Sequence, residues 1–514
     1  MLSIIKSMSL NGLDGYLIDV EIDVSNGIPC WEIVGLAATS IKESKERIKV
    51  AIKNLGYELY SKKIIVNLAP ADIKKEGSFL DVAIAVGILI NLNKIINRNL
   101  NDTVFLGELS LDGKINKING ILPICIEAKK IGIKKIVIPL DNVNEASLVD
   151  GIQIIGVENL NEVINYINYN KYNKKIINRA ENKMEEQKYE VDFTDIMGQE
   201  NAKRALEIAA SGAHNCLLIG SPGSGKTMLA KSFLSVLPKM ELEESLETTK
   251  IYSIAGLLTD SNPIISNRPF RIPHHTISKH SLIGGGRIPK PGEISLAHNG
   301  VLFLDELTEF NRDTLEALRE PLEGNIININ RVSGNYKFPA NFMLIASTNP
   351  CPCGYFGSNI NKCTCSKNVV NKYLSKISGP LLDRIDIQIE VEEINYKKIN
   401  NNNFTETSKQ IKERINKARN LQKKRYEMDK ITTNSELTPK LITKYCILNS
   451  ESKKMLEKSF EKLKLTARAY HKIIKIARTI ADLDNKENIE LYHIAEAIQY
   501  RSLDKKYWRR DWYK

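Results

Sequence analysis

The stretch that decides the fold is Gly220-Ser-Pro-Gly-Ser-Gly-Lys226-Thr227, which fits the pattern GxxxxGK[ST]. An apolar, strand-like run precedes it at Cys216–Ile219, and a helix-like run follows at residues 228–237. Strand, glycine-rich turn and helix in this order are what a phosphate-binding loop requires, because backbone N–H groups and the helix N-terminus together surround the phosphates. The pattern predicts an α/β nucleotide-binding domain. The predicted nucleotide contacts are Gly220, Ser221, Pro222, Gly223, Ser224, Gly225, Lys226 and Thr227.

The second part of the predicted site begins 79 residues beyond Lys226. There the apolar run Val301–Leu304 has the pattern of a buried strand and ends in two carboxylates, Asp305 and Glu306. Paired with a phosphate-binding loop, such an acid pair is typical of ATP hydrolysis. We predict that Lys226 reaches the β- and γ-phosphates of ATP. Thr227 and Asp305 are expected to hold Mg²⁺, and Glu306 to deprotonate the attacking water.

Three more polar residues are candidates for the γ-phosphate. Asn349 follows a third predicted strand at residues 341–347 and could sense that phosphate or position the water. Arg384 stands between two acids, so it is either part of a surface salt bridge or an arginine finger supplied across a subunit interface. Arg468 is expected to reach back from the C-terminal region to the same nucleotide. The predicted catalytic residues are Glu306, Lys226, Asn349, Arg384 and Arg468.

Four of the eight cysteines fall within fifteen positions and form a predicted metal site. Two C-x-C pairs offer four thiolates on one loop, and in a reducing compartment such a set suits tetrahedral Zn²⁺. The alternative is a set of free or redox-linked thiols. The metal would be structural and would lie near the nucleotide. The predicted ligands are Cys351, Cys353, Cys363 and Cys365.

Composition and charge restrict the possible classes of protein. Of the 514 residues, 42% are hydrophobic and 26% charged, as in a folded globular protein rather than a disordered one. The net charge is +12, and residues 401–514 alone carry 27 Lys and Arg against 15 Asp and Glu. A basic C-terminal region indicates either a polyanion-binding surface or solvated lysine-rich helices. No apolar run approaches the ~20 residues of a membrane span, and no signal peptide is visible, so we expect a cytoplasmic protein without membrane contact.

Sequence patterns divide the chain into four predicted segments. Residues 1–168 alternate strand-like and helical runs, and residues 169–190 form a polar linker. Residues 191–400 carry the phosphate chemistry, and residues 401–514 are predominantly helical. The tail from residue 505 places Trp508 and Trp512 among cations, and we expect it to seal the helical region or to stack on bases.

Two basic loops are candidate DNA contacts. Residues 261–292 contain no acid, and near their end a glycine-rich turn leads into Arg287 and Lys290. Residues 328–341 have the pattern of a hairpin that includes Arg331 and Lys337. Cations on glycine-rich loops suit a passing strand backbone, although both could be ordinary surface loops. The predicted DNA-binding residues are Arg287, Lys290, Arg331 and Lys337.

The order of these motifs resembles that of AAA+ ATPases, and their details resemble the magnesium-chelatase-like ComM/YifB family. The segments that carry the resemblance include Pro291-Gly-Glu-Ile-Ser-Leu-Ala-His-Asn-Gly, Asn349-Pro-Cys-Pro-Cys-Gly and Ala467-Arg-Ala-Tyr-His. The resemblance spans nearly the whole chain. It implies an AAA+ core with a C-terminal helical lid, a hexameric ring, and a DNA helicase that drives branch migration during natural transformation.

The N-terminal segment resembles the protease domain of Lon, with its S5-type α/β fold. In that fold a serine nucleophile and a lysine base cleave peptides. Aligned on Glu76-Gly-Ser-Phe-Leu-Asp, the serine position here is Phe79, and the lysine position is Pro123. Ser78 lies one place away, without an evident base. The resemblance therefore implies a protease scaffold without protease chemistry, with a residual peptidase as the alternative.

The sequence thus predicts an ATP-driven, ring-forming DNA motor, with ATP, Mg²⁺ and structural Zn²⁺ as cofactors and single-stranded or branched DNA as partner. One alternative is the ATPase subunit of a metal chelatase, which would need a metal-inserting partner. Another is a protein-remodelling AAA+ factor. That alternative predicts aromatic pore loops, whereas the loops found here are basic.

Overall fold

The computed structural model describes most of the chain. The residues described are 2–36, 38–59, 61–71, 75, 77–96, 100–172, 189–259, 262–286, 289–331, 334–358, 360–393, 406–463 and 465–508. Arg287, one of the predicted DNA contacts, lies outside the described residues, as do most of the expected linker and Trp512. Below, residues 2–172 are called the N-terminal domain, 189–393 the P-loop domain and 406–508 the C-terminal region.

The N-terminal domain is built on a mixed sheet, of seven strands among the residues described. In spatial order the strands are β3, β4, β2, β1, β5, β8 and β9, with β1 antiparallel to β2 and parallel to β5. Alternate residues of β2 are fully buried, as the period of a strand with one covered face requires. The strands are β1 (Leu2–Asn11), β2 (Asp14–Asn26), β3 (Cys30–Val34), β4 (Lys62–Ala69), β5 (Thr103–Phe105), β6 (Glu108–Leu109), β7 (Ile115–Asn116), β8 (Lys135–Pro139) and β9 (Gln153–Val157).

Helices pack against this sheet, and α2 is the most buried of them. It contacts β2 so closely that a Cβ atom on Gly87 would lie 2.1 Å from Cδ1 of Ile22, so only glycine allows the helix to approach. The helices of the domain are α1 (Thr39–Asn54), α2 (Asp81–Asn91), α3 (Ile121–Lys130), α4 (Val143–Ala146) and α5 (Leu160–Tyr169).

The P-loop domain contains a parallel sheet of five described strands in the order β11, β14, β17, β10, β18. The central strands are buried on both faces, which explains their continuous apolar sequences. The carboxyl ends of parallel strands meet at one edge, and there the loops after β10, β14 and β17 come together. The strands are β10 (Cys216–Ile219), β11 (Phe270–Arg271), β12 (Gly284–Gly285), β13 (Lys290–Pro291), β14 (Val301–Leu304), β15 (Ile326–Arg331), β16 (Gly334–Pro339), β17 (Met343–Thr348) and β18 (Ile387–Glu390).

The helices of the P-loop domain range from one turn to four. Short helices flank the two small antiparallel hairpins, β12–β13 and β15–β16, which extend from the main sheet. The helices are α6 (Glu200–Gly212), α7 (Lys226–Val236), α8 (Leu242–Ala255), α9 (Lys279–Ile283), α10 (Glu293–Leu296), α11 (Arg312–Glu316), α12 (Pro321–Gly324), α13 (Lys367–Leu374) and α14 (Gly379–Leu382).

The C-terminal region is helical and shares a core with the P-loop domain. Ile473 and Ile480 belong to the same buried cluster as Ala205 and Phe233. A buried ion pair joins the two parts as well, since Lys472 Nζ lies 2.8 Å from Asp386 Oδ1. The helices are α15 (Ser408–Tyr426), α16 (Pro439–Tyr445), α17 (Ser450–Leu463), α18 (Ala467–Leu483) and α19 (Leu491–Gln499).

Helix α8 of the P-loop domain docks on the N-terminal domain beside α3. The backbone N–H of Gly120 donates to the carbonyl oxygen of Ser253 at 3.1 Å. The hydroxyl of Ser253 donates to the carboxylate of Glu145, which also accepts from the N–H of Leu122 at 3.0 Å. The contact is therefore polar and specific.

The expectation of a multidomain α/β protein with a parallel sheet is confirmed at this coarse level. Among the described residues, none of the helices combines the length and the apolar character needed to cross a bilayer. The tail differs from expectation. The indole N–H of Trp508 donates to the carbonyl of Leu374 at 3.2 Å, so the described part of the tail covers the P-loop domain rather than sealing the C-terminal helices.

Candidate functional site

The glycine-rich loop lies at the carboxyl end of β10 and leads into α7. Gly223 and Gly225 have φ of 75° and 92°, in the left-handed region that favours glycine. The N–H of Gly220 donates to the carbonyl of Thr348 at 3.2 Å, which fastens the loop to the neighbouring strand. A Cβ atom on Gly220 would lie 2.6 Å from the carbonyl oxygen of Val391. The loop thus has the tight, strand-anchored shape that can surround phosphate groups.

The ammonium group of Lys226 lies inside this loop. It donates to the carbonyl oxygens of Gly220 and Ser221, both at 2.8 Å, and to Oδ1 of Asn349 at 3.1 Å. Burial lowers the pKa of Lys226 to about 8, although the carboxylates of Asp305 and Glu306 oppose that shift. A bound phosphate would add negative charge beside the ammonium group, so nucleotide binding would favour its charged form.

The predicted magnesium ligands meet across the sheet edge. The hydroxyl of Thr227 donates to Oδ2 of Asp305 at 2.8 Å, and the hydroxyl of Ser347 donates to the other oxygen, Oδ1. A hydroxyl and a carboxylate this close are oxygen ligands suited to Mg²⁺, which keeps several waters and takes few protein ligands. Sequence analysis missed Ser347. Its position one residue before the end of β17, beside β14, was the available signal.

Glu306 is held by its backbone. It has φ of 53°, a left-handed conformation unusual for glutamate, and its N–H contacts Oδ1 of Asp305 at 3.1 Å and Oγ of Ser347 at 3.2 Å. The side chain is exposed at the sheet edge, next to Lys226 and Asp305. A carboxylate fixed there can accept a proton from a water that attacks a bound γ-phosphate.

The two predicted arginines lie together, on one carboxylate. Arg384 and Arg468 each pair with Glu323, Arg468 through Nη2 and Oε1 at 3.3 Å. Arg384 is also fixed by its contacts with the carbonyl oxygens of Arg319 at 3.0 Å and Pro380 at 2.7 Å. None of the hydrogen bonds of either arginine to described residues involves the glycine-rich loop. Glu323 was not singled out from the sequence, since one exposed acid carries no motif.

The four cysteines form a compact cluster beside the loop. Their sulfur atoms all lie within 4.8 Å of one another, and all four thiols are free of disulfide bonds. Burial opposes the thiolate form of Cys353, but backbone N–H groups of Tyr355 and Thr364 outweigh it and lower its pKa to about 6. These donors suit a metal-bound thiolate.

The basic loops are partly structural and partly exposed. Two cations of the acid-free segment are internal, because Arg268 pairs with Glu244 at 2.9 Å and Arg271 with Glu293 at 2.6 Å. Both acids lie outside that segment, so the lack of acids within the segment does not leave these two arginines unpaired.

The predicted DNA contacts within the described residues are exposed. They are Lys290, on the β12–β13 hairpin, and Arg331 and Lys337, on the β15–β16 hairpin. The two hairpins are adjacent, since a Cβ atom on Gly285 would lie 3.5 Å from Nη2 of Arg331. Arg331 therefore lies between the two hairpins.

Comparison with known proteins covers nearly the whole chain. Three family models match: "Subunit ChlI of Mg-chelatase" at residues 20–142, "Magnesium chelatase, subunit ChlI" at 192–399 and "Magnesium chelatase, subunit ChlI C-terminal" at 405–501. Competence protein ComM of Haemophilus influenzae is 41% identical over 510 residues, covering 98% of both chains. The chain belongs to the ComM/YifB family.

Other relatives agree with this membership in the magnesium-chelatase-like AAA+ group. YifB of Escherichia coli (strain K12) is 40% identical over 507 residues, again 98% of each chain. Lon protease 2 of Bacillus subtilis is 31% identical over 172 residues, which is 30% of each chain. Membership in this ComM/YifB family of AAA+ proteins implies ATP and Mg²⁺ as cofactors.

Proposed function

We propose that this ComM/YifB family member is an ATP-driven motor that remodels DNA. The observation that carries the proposal is the convergence of a phosphate-binding loop, a magnesium pair and an exposed glutamate at one sheet edge. In the proposed mechanism, Lys226 and the loop bind the phosphates of ATP. Thr227 and Asp305 hold Mg²⁺, which supplies charge neutralisation at the phosphates. Glu306 takes the proton of the attacking water.

The positions of the two arginines support a proposed ring. Arg384 and Arg468 share Glu323 and make no described contact with the loop of their own chain. We propose that both act on the nucleotide of a neighbouring subunit, which requires a closed ring, proposed to be a hexamer. Arginine supplied in trans is a strong contribution to phosphoryl transfer, on the order of 10³–10⁵ in rate.

DNA is the proposed substrate because of the paired basic hairpins. The exposed face of β15–β16 carries Lys337 with Asn328, Asn330 and Asn335, all of them uncharged or basic. Amide and cationic groups suit a sugar–phosphate backbone, which is contacted without regard to base sequence. The relative from Haemophilus influenzae is named a competence protein, which favours branch migration of recombining DNA as the task.

We also propose that the N-terminal domain is a Lon-like scaffold without protease chemistry. Ser78 donates its hydroxyl hydrogen bond to Glu108, a carboxylate rather than a lysine base. Phe79 packs as a hydrophobic residue, and Pro123 is buried inside α3. A Lon protease is among the relatives, and these residues support the loss of the serine–lysine chemistry.

The proposed metal cofactors are Mg²⁺ at the acid pair and a structural Zn²⁺ ion at the four cysteines. A compact set of four thiols is a typical zinc site, and zinc would take all four as ligands.

A second candidate is the ATPase subunit of a metal chelatase, favoured by the descriptions of all three family models. It predicts ATP hydrolysis that depends on a partner protein and is indifferent to DNA. The basic hairpins favour the motor.

The test is ATP-dependent processing of labelled forked and four-way DNA junctions, with Glu306→Gln as the control. Strand release that requires ATP and disappears in the variant is the expected result. Hydrolysis of ATP without any binding or remodelling of DNA would reject the DNA motor and favour the chelatase candidate.

A further inference from the structure

The four-cysteine cluster has the dimensions of a metal site. Cys351 Sγ lies 3.3 Å from the sulfur of Cys353 and 3.7 Å from that of Cys363. The sulfurs of Cys353 and Cys363 are 3.6 Å apart. A tetrahedron of thiolates around Zn²⁺ has edges of about 3.8 Å, whereas a disulfide bond is about 2.05 Å long. The spacing fits thiolates that share a metal ion.

The cluster is closed in the manner of a structural site. Cys351 is fully buried, and the other three sulfur ligands pack against the same hydrophobic cluster. The N–H of Phe356 donates to Cys351 Sγ at 3.3 Å, an N–H···S contact of the kind that orients metal thiolates. With four protein ligands there would be no open position for a substrate.

The turn that contains two of these cysteines packs against the phosphate-binding loop. Gly354 donates its N–H to the carbonyl of Cys351 at 2.9 Å and has φ of 85°. A Cβ atom on Gly354 would lie only 2.3 Å from Cδ of Pro222, which is part of the glycine-rich loop. The turn beside the cysteines and the nucleotide loop are therefore in direct van der Waals contact.

The same segment also reaches the loop from β17. Asn349, two residues before Cys351, accepts a hydrogen bond from Lys226, and Thr348 accepts one from Gly220. The described residues of the segment, 351–358 and 360–365, form turns without helix or strand. With no helix or strand to fix these residues, the sulfur cluster is one anchor of the segment, beside the hydrogen bond that Ser358 donates to Glu393 at 3.0 Å.

We infer that a Zn²⁺ ion bound by the four cysteines holds this segment against Pro222 and Asn349, so that the affinity of the loop for nucleotide depends on the metal. The inference rests on the proposed function in taking ATP as the ligand of the loop. It adds a second metal dependence to the site, one that is structural and separate from that of Mg²⁺.

The primary experiment uses the full chain purified under reducing conditions. Metal analysis should find about one zinc per chain, since four thiolates complete one site. Removing zinc with a chelator should weaken binding of a non-hydrolysable ATP analogue by roughly tenfold or more, because small displacements of positioning groups have effects of that size. Adding back Zn²⁺ should restore the affinity, and adding excess Mg²⁺ should not.

Two variants distinguish the loss of the metal from the loss of the contact between Gly354 and Pro222. Cys363→Ser with Cys365→Ser should lose zinc and affinity together, while Cys30→Ser, a cysteine of the N-terminal domain, should retain both. Gly354→Ala should keep its zinc and still lose affinity, because its methyl group collides with Pro222.

Protein that contains no zinc, or that binds the analogue equally well after zinc is removed, would overturn the inference. Zinc-loaded protein that never binds the ATP analogue would instead overturn the proposed function, and its zinc content would still be measured. Should the double-serine variant fail to fold, the chelation experiment on the natural chain decides alone, with hydrogen exchange at the glycine-rich loop as a second readout.

Discussion

In the proposed mechanism the nucleotide loop and the arginine pair serve one reaction, but they are organised differently. At the loop, Lys226 donates a hydrogen bond to Asn349 and Thr227 donates one to Asp305, all within a few residues of three neighbouring strands. At the other half, Arg384 and Arg468 come from parts of the chain that lie 61 and 145 residues from their shared partner, Glu323. The first half is complete within one chain. In the second, both arginines pair with the carboxylate of Glu323 and not with a phosphate.

In the proposed ring, the arginine half would be completed by the phosphate of a nucleotide bound to another subunit. Glu323 lies one residue before the end of α12, close to the start of β15, the strand that opens the basic hairpin. Its carboxylate is more than half exposed, so a nucleotide brought by a neighbour could compete for the arginines.

The largest effect is expected from the loop half itself. Lys226→Ala should abolish nucleotide binding, because the ammonium group inside the loop is lost. Glu306→Gln should retain binding and lose hydrolysis by about 10²-fold or more, as removal of a general base does. Binding of a non-hydrolysable ATP analogue and release of phosphate, measured on both variants, distinguish the loss of binding from the loss of hydrolysis. A Glu306→Gln variant with normal hydrolysis would mean that another group activates the water.

The arginine half is tested by mixing subunits. Arg384→Ala alone should reduce hydrolysis by about 10³-fold while preserving analogue binding. Because its loop half is intact, mixing it with Lys226→Ala should restore part of the activity, with each variant supplying what the other lacks. If the mixture stays as inactive as its components, Arg384 acts within its own chain or not at all.

The ion pair between Asp386 and Lys472 should contribute to the stability of the fold. Burial alone would raise the pKa of Asp386, but Lys472 and His214 outweigh it and lower the pKa to about 2. Asp386→Asn leaves a buried ammonium without its partner and should reduce the free energy of unfolding by about 3–5 kcal/mol. Denaturation by urea measures the loss.

The pH dependence of the same pair has a definite sign. Since the folded-state pKa of Asp386 lies below the ordinary value of 3.8, its stabilisation is fully present above about pH 4 and is lost as the pH falls towards 2. Asp386→Asn should remove the pH dependence of the free energy of unfolding in this range. The double variant Asp386→Asn with Lys472→Met should recover most of the lost stability. If it recovers none, the unpaired ammonium group is not the cause of the loss.

The smallest effect is expected at Glu323. Glu323→Gln removes the charge that holds both arginines, while Arg384 keeps its carbonyl contacts. DNA-independent hydrolysis should rise by about twofold to fivefold, because exposed ion pairs contribute little, on the order of 1 kcal/mol. Asp313→Asn, an exposed acid on α11, is the matched control. A fall in hydrolysis would mean instead that Glu323 positions the arginines for catalysis.

The local motifs were predictable because their geometry is encoded in adjacent residues. The glycines of the loop specify left-handed backbone, and the apolar runs before Asp305 and Asn349 specify buried strands, so neighbouring strand ends had to meet. Element bounds followed too: strands were expected at Cys216–Ile219 and Val301–Leu304, and β10 and β14 have these bounds. The segment boundaries and the roles of the site residues remain predictions.

Sequence by itself determined the family, the phosphate-binding loop, the acid pair and the grouping of the cysteines. Only the tertiary structure decided that Arg384 and Arg468 share Glu323, that Arg268 and Arg271 are internally paired, and that Gly354 rests on Pro222. The reason is physical. Backbone conformation and strand pairing follow from short-range patterns, whereas the partner of a charged or packed side chain is chosen by whichever distant segment the fold brings within a few ångströms of it.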